Sequence, residues 1–208
     1  MMKRIFSILT LTICMIMTAA CASNNSNSAT PTQTVINDQN NFRMKTKILF
    51  INGSENRDGN TSHMAKELLG NIPYDQLNLV DYRVDSLGQH FEGDQFSTVL
   101  NAMQQADIII IGTPIYWHTM SGSLKNMIDR MYEVRNTARL QGKQLYFIIQ
   151  GAAPTQQSIE STEFIMNRFG EYFGMNVKGM ASNSAEVRFL QSPVSYTHLR
   201  AHETELHL

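Results

Sequence analysis

The chain has 208 residues, with 17 Lys and Arg against 18 Asp and Glu and a formal net charge of −1. That length holds one ordinary domain with tails, and the charge offers neither a basic footprint for nucleic acid nor the acidic excess of a soluble carrier that steers to a basic partner. Hydrophobic residues at 42% against 17% charged describe a chain that folds, and two cysteines are too few for a disulfide scaffold, a zinc finger or a thiolate-held iron–sulfur cluster.

In chain order, Lys3 and Arg4 precede an apolar run from Ile5 to Met17, and Thr18-Ala19-Ala20 lead to Cys21. The run is shorter than the roughly 20 residues that span a bilayer, so residues 1–20 read as a signal peptide. The small residues before Cys21 resemble a bacterial lipobox, with Thr18 where leucine is usual. Cys21 is therefore expected to carry lipid and to anchor an exported protein to a membrane of the bacterial cell envelope; ordinary signal cleavage beside an incidental cysteine is the alternative. Residues 21–44 then form a lipidated cysteine followed by a polar tether rich in Asn, Ser, Thr and Gln, a composition too poor in apolar surface to offset ordering entropy.

Residues 45–192 alternate strand and helix. Short apolar runs at 47–51, 76–80, 107–111, 143–150 and 176–181 predict strands, the third with four consecutive isoleucines after Asp107. Apolar residues at helical spacing predict helices over 61–69, 94–106, 121–135 and 158–173. The alternation implies a doubly wound α/β domain, with a five-stranded parallel sheet in the flavodoxin-like order 2-1-3-4-5. A last helix should follow the fifth strand. It is expected to be missing, because residues 193–208, PVSYTHLRAHETELHL, resemble a translated sequencing-adapter read-through. Their three histidines are accordingly assigned no metal-binding role.

The loop after the first strand, Gly53 to Ser62, runs straight into a helix. A phosphate needs convergent donors and little bulk, which glycines, a helix N-terminus and the side chains of Ser54, Asn60, Thr61 and Ser62 would supply; Thr61 or Ser62 could also cap the helix. The loop lacks the Gly-Lys-Ser/Thr of a P-loop and is not GxGxxG. After the third strand, Gly112-Thr113-Pro114-Ile115-Tyr116-Trp117-His118 faces the first loop at the topological switch point. Pro114 would stiffen a turn, and Tyr116 and Trp117 would either meet a planar ligand or pack the loop onto the sheet. Gly151, in the small-residue loop after the fourth strand, allows close approach of a flat ring.

These segments, GSxxxxGNT at 53–61 and GTPIYWxxMSGxLKNxIDR at 112–130, resemble the NAD(P)H-dependent FMN reductase and flavodoxin-like oxidoreductase superfamily. The resemblance implies FMN as a noncovalent cofactor and NAD(P)H as co-substrate. It implies that Ser54, Asn60, Thr61 and Ser62 hold the phosphate, and that Pro114, Ile115, Tyr116 and Trp117 line the isoalloxazine with Gly151 nearby. The family often has Pro-Arg after Gly-Ser; here those places are Glu55 and Asn56, with Arg57 one later. Arg57 thus joins the cofactor-binding set, and the phosphate's charge partner stays open.

The expected function is an FMN-dependent NAD(P)H oxidoreductase that passes electrons to a quinone, a nitroaromatic or another flavin, with no protein catalytic residue and no metal. The alternative is a membrane-tethered flavodoxin-like module serving a protein partner, against which the near-neutral charge argues. A flavin-free scaffold is a third reading. The loop 85–94 is placed over the flavin edge, and Asp129, Arg130 and Glu133 on a solvated helix face or in local pairs. A small-molecule acceptor, the membrane and a homodimeric second copy are the expected partners, without nucleic acid.

Overall fold

A computed structural model describes residues 46–137, 139–191 and 194. The expected signal peptide, Cys21, its tether and, apart from Val194, the adapter-like tail lie outside the described residues. The strands are β1 (Ile48–Asn52), β2 (Asp75–Asn78), β3 (Ile108–Tyr116), β4 (Thr119–Met120), β5 (Gln144–Gln150) and β6 (Asn176–Ala181). The helices are α1 (Asn60–Leu69), α2 (Phe96–Gln105), α3 (Gly122–Arg130), α4 (Gln156–Tyr172) and α5 (residues 184–191). The sheet runs β2-β1-β3-β5-β6, all parallel, with β4 antiparallel on the end of β3. This is the expected 2-1-3-4-5 order with one short hairpin strand added.

The isoleucine run shows why the central strand reads as continuously apolar. Successive side chains of a strand point to opposite faces. Ile109 and Ile111 join Leu49, Ile51, Leu145 and Phe147 under α2, α3 and α4, through Val99, Leu100, Met103, Leu124, Met127 and Met166. Ile108 and Ile110 join Phe50, Tyr146 and Ile148 under Met64, Ala65 and Leu68 of α1 and Val187 and Leu190 of α5. Each buried isoleucine contributes about 1.5–3 kcal/mol, so the four commit this segment to the middle of the sheet.

The last helix, expected to be missing, is present through residue 191. It starts well before Pro193 because Asn183 Oδ1 accepts from the backbone N–H groups of Ala185 (3.0 Å) and Glu186 (3.1 Å). The Glu186 carboxylate reaches back to the Ser182 N–H at 2.6 Å, a reciprocal cap that fixes the first turn. Two other boundaries move inward. β2 stops at Asn78 and becomes a 3₁₀ turn, Leu79–Asp81, that buries Leu79; α3 ends at Arg130 and continues as a 3₁₀ turn, Met131–Val134.

Arg130 makes the expected kind of local pair, with Nε 2.9 Å from Glu133 Oε1, but it is not on a solvated face. Its side chain is 3% exposed, with Nη2 2.7 Å from Asp94 Oδ2 and Nη1 donating to the Asp85 carbonyl at 3.1 Å. Its guanidinium lies 4.7 Å from the centre of the Phe96 ring. It sits three residues after Met127 and so falls on the buried stripe of α3. The long loop before α2 is therefore tied to the C-terminal end of α3. Asp129 makes the local pair expected of it, with Lys125 at 2.7 Å.

Two outcomes follow for stability. The Arg130 hydrogen bond is the main cause that holds the Asp94 carboxyl below its ordinary pKa. The pair therefore stabilises the fold fully above the unfolded carboxylate range and loses this contribution as pH falls through the lowered folded value. Arg130→Ala should cost about 3 kcal/mol at neutral pH by urea unfolding, a deficit that shrinks on acidification. At Gly170 in α4, an added Cβ would stand 2.4 Å from Val177 Cγ2. Gly170→Ala should therefore destabilise by about 1–3 kcal/mol through overpacking, overriding the helix propensity gain of about 1 kcal/mol that alanine normally brings. Gly122→Ala, with nothing within 4 Å, is the control that should lose nothing.

Candidate functional site

The site is organised by Asn52, the last residue of β1 and fully buried. A buried carboxamide must find partners for its donors and acceptor. Its Nδ2 approaches the Asn56 carbonyl (3.0 Å), Ser62 Oγ (3.2 Å) and Asn78 Oδ1 (3.2 Å), while Oδ1 accepts from the Ser54 N–H at 3.0 Å. One side chain thus joins β1, β2, the loop and the first turn of α1. Sequence reading took Asn52 only as the end of a strand; a lone amide closing an apolar run, just before glycine, was the available signal.

The loop turns on local side-chain bonds: Asn56 N–H donates to Ser54 Oγ at 3.1 Å and Asp58 N–H to Asn56 Oδ1 at 3.2 Å. Helix α1 then starts after Gly59, which has no side chain to cap it. Neither Thr61 nor Ser62 serves as the cap. Ser62 Oγ donates to the Arg57 carbonyl at 2.8 Å and so shapes the loop from inside. The N–H groups of Asn60, Thr61 and Ser62 have no acceptor within the helix, the usual state of a first turn, and could serve an anion. Thr61 packs its methyl against Gly112, where an added Cβ would stand only 2.6 Å from Thr61 Cγ2. Ser54 is buried and Asn60 exposed. Arg57 turns to Asp81, both Nε (2.8 Å) and Nη2 engaging one carboxylate oxygen.

Pro114, Ile115 and Tyr116 belong to β3, not to a loop. β1 ends at Asn52 opposite Gly112, so this edge of β3 is open beyond Gly112, and a proline is tolerated there. Trp117 and His118 form a two-residue hairpin turn with φ of 49° and 63°, left-handed conformations that suit glycine or asparagine far better. Trp117 is 96% exposed and Tyr116 44%, so neither packs down onto the sheet. The turn is held by Thr113 Oγ1, which accepts from the Ser121 N–H at 3.0 Å.

Three loops are clasped together at the C-terminal edge of the sheet. The Tyr116 hydroxyl donates to Glu55 Oε2, and Ser123 Oγ donates to the Gly53 carbonyl at 3.1 Å. His118 Nδ1 lies 3.3 Å from Ser158 Oγ at the start of α4. Gly151 stands beside Ile115, whose Cβ would lie 3.5 Å from an added Cβ at 151. The phenol of Tyr116 is the main cause that holds the Glu55 carboxyl below the ordinary carboxylate range, and the same bond raises the tyrosine. A groove of about 370 Å³, with Ile128, Tyr132, Ile165 and Tyr172 among its walls, draws no residue from these three loops.

The arrangement fits FMN. An uncapped helix N-terminus would suit a phosphate, two glycines would let backbone approach, and the β3 hairpin presents aromatic side chains. Asn52→Ala should cost about 1–3 kcal/mol in urea unfolding, the penalty of unpaired buried partners. It should also weaken FMN in isothermal titration, because the loop loses the side chain that shapes it.

Residues 46–186 match the family of NADPH-dependent FMN reductases. YwqN of Bacillus subtilis (strain 168), named as an NAD(P)H-dependent FMN-containing oxidoreductase, is 28% identical over 149 residues, covering 64% of this chain and 82% of that protein. Among solved structures, the Trp repressor binding protein of Bacillus subtilis superposes with a TM-score of 0.54 at 25% identity, over 66% of this chain and 83% of its own. An FMN-dependent NADH-azoreductase from Bacillus anthracis str. Ames Ancestor, solved in complex with FMN, shares the fold with a TM-score of 0.54 at 16% identity, over 74% of this chain and 98% of its own. The chain belongs to the NADPH-dependent FMN reductase family, with FMN as its cofactor and NAD(P)H as its reductant.

Proposed function

We propose that the protein transfers electrons from NAD(P)H to a small diffusible acceptor, a quinone, a nitroaromatic or a second flavin, while lipid-anchored to a membrane of the bacterial cell envelope. The observation that carries the acceptor reading is the hairpin tip: an almost fully exposed Trp117 held in a left-handed conformation. Exposing a tryptophan forgoes its burial energy, and the backbone strain adds to that. Both are tolerable where the side chain serves a planar ligand.

FMN, when bound, supplies hydride acceptance and onward electron transfer. The chain's own residues bind and orient. Backbone N–H groups at 60–62, with Ser54 and Thr61, would hold the phosphate; Pro114, Ile115, Tyr116 and Trp117 would line the ring, with Gly151 giving room. For a quinone the balance is NAD(P)H, one proton and quinone in, NAD(P)⁺ and hydroquinone out. Residues 1–20 would direct export and Cys21 would carry the anchor, with a homodimer as the assembly. One acyl chain holds a protein only reversibly, so stable anchoring needs the multiply acylated form.

Adding NADH or NADPH anaerobically to the FMN-loaded protein should bleach the visible flavin band, and a quinone should restore it. Bleaching by dithionite but not by either nucleotide would contradict the reductase reading and favour an electron carrier. Replacing Trp117 with Asn and His118 with Gly should relieve strain of about 1–2 kcal/mol per residue, less the entropy cost of glycine of about 0.5–1 kcal/mol. The double variant should therefore unfold at higher urea while binding flavin less well. In the native host, labelled fatty acid should be incorporated into the wild type and not into Cys21→Ser; equal labelling would contradict the anchor.

A further inference from the structure

The loop expected to hold a dianionic phosphate carries the wrong charge for it. Residues 53–62 contain Glu55, Arg57 and Asp58, a net of one negative charge. Arg57, the one cation, is engaged by Asp81 at the end of the 3₁₀ turn after β2, and Asp81 is itself steadied by Asn78 Nδ2 at 3.4 Å. Asp58 takes Lys66, with His63 Nε2 3.6 Å away, so the nearest lysine is also occupied. Glu55 is the charge of this loop that no cation pairs, and it lies between the two candidate walls. Its Oε2 accepts from Tyr116, on the strand that would line the ring, and from Ser54 Oγ at 3.3 Å, on the loop that would hold the phosphate.

We infer that Glu55 is a specificity-determining residue that makes FMN a loosely held, exchangeable ligand of this site, with riboflavin accepted about as well. The neutral N–H groups at the start of α1 attract the phosphate, and the fixed carboxylate beside them opposes it. The ring and ribityl chain then supply most of the affinity, and those parts are common to both flavins. A flavin that exchanges with the solution pool can itself leave reduced, which makes free flavin an acceptor for this enzyme. The inference rests on the flavin reading of the site given above.

Isothermal titration of FMN and riboflavin against the wild type, Glu55→Gln and Asp81→Asn tests it. The glutamine still accepts a hydrogen bond from Tyr116 and removes only the charge; Glu55 is exposed, so the fold should not change. Wild type should bind the two flavins within about threefold of each other. Glu55→Gln should tighten FMN about fivefold, the effect of lifting one charge from a dianion in a largely aqueous setting, and leave riboflavin unchanged. Asp81→Asn, which frees Arg57, should act in the same direction on FMN alone. Raising the salt from about 0.05 to about 0.5 M should leave wild-type FMN binding level or strengthen it, because screening weakens repulsion. Wild-type FMN binding that is tenfold or more tighter than riboflavin, or a Glu55→Gln variant that does not gain for FMN, would overturn the inference. Failure of both flavins to bind the wild type would instead overturn the flavin reading itself.

Discussion

A single buried amide sets the conditions for the loop side of this site. Asn52 ends the strand that runs beside the isoleucines of β3, at the level where β1 and β3 separate toward different loops. A carboxamide with no access to water is costly until its partners are in place. Those partners are the loop backbone at 54 and 56, Ser62 in α1 and Asn78 in β2. Satisfying Asn52 therefore bends the loop and seats the first turn of α1, whose uncapped N–H groups are the candidate phosphate donors.

The opposite wall is built on different physics. β3 overruns β1, so its last residues lack a neighbour on one side and can host a proline and then a sharp hairpin. The turn residues are a tryptophan and a histidine where glycine or asparagine would be comfortable. Thr113, Ser121 and the His118–Ser158 contact hold the turn in place. Strain at a turn, next to an exposed aromatic ring, is what a binding site looks like when local propensity yields to function.

Much of the fold was legible because the central strands β1, β3 and β5 are buried on both faces. Four isoleucines in a row have no other economical place in a domain of this size. The helical stripes of α1 and α2 read correctly for the same reason, since their apolar residues meet those strands. Features made by partners far apart in the chain were not legible. A solvated face or local pairs were expected for Arg130, and its pair with Glu133 is local, but its spacing from Met127 puts it on the buried stripe, and its further partners Asp85 and Asp94 lie more than thirty residues away. The hairpin was hidden because Trp-His carries no turn signature. The α5 cap was present in the sequence as Asn183 and Glu186, but the neighbouring adapter-like tail obscured it. At the site, Gly53, Ser54, Thr61 and Gly151 were recognisable as loop chemistry. The clasp between Glu55 and Tyr116 and the diversion of Arg57 to Asp81 emerge only once β2 and β3 stand on either side of β1.

The central claim is that flavin lies between the β1–α1 loop and the β3 hairpin, held by backbone donors at one end and aromatic side chains at the other. Amide chemical shifts of the ¹⁵N-labelled protein, followed as FMN is added, test it directly. The account predicts that the N–H signals of residues 54–62, 115–118, 151–153 and 155 move together and saturate at one FMN per chain. The indole signal of Trp117 should move with them. Shifts confined instead to the groove between α3 and α4, around Ile128, Tyr132 and Tyr172, with residues 54–62 unmoved, would contradict it.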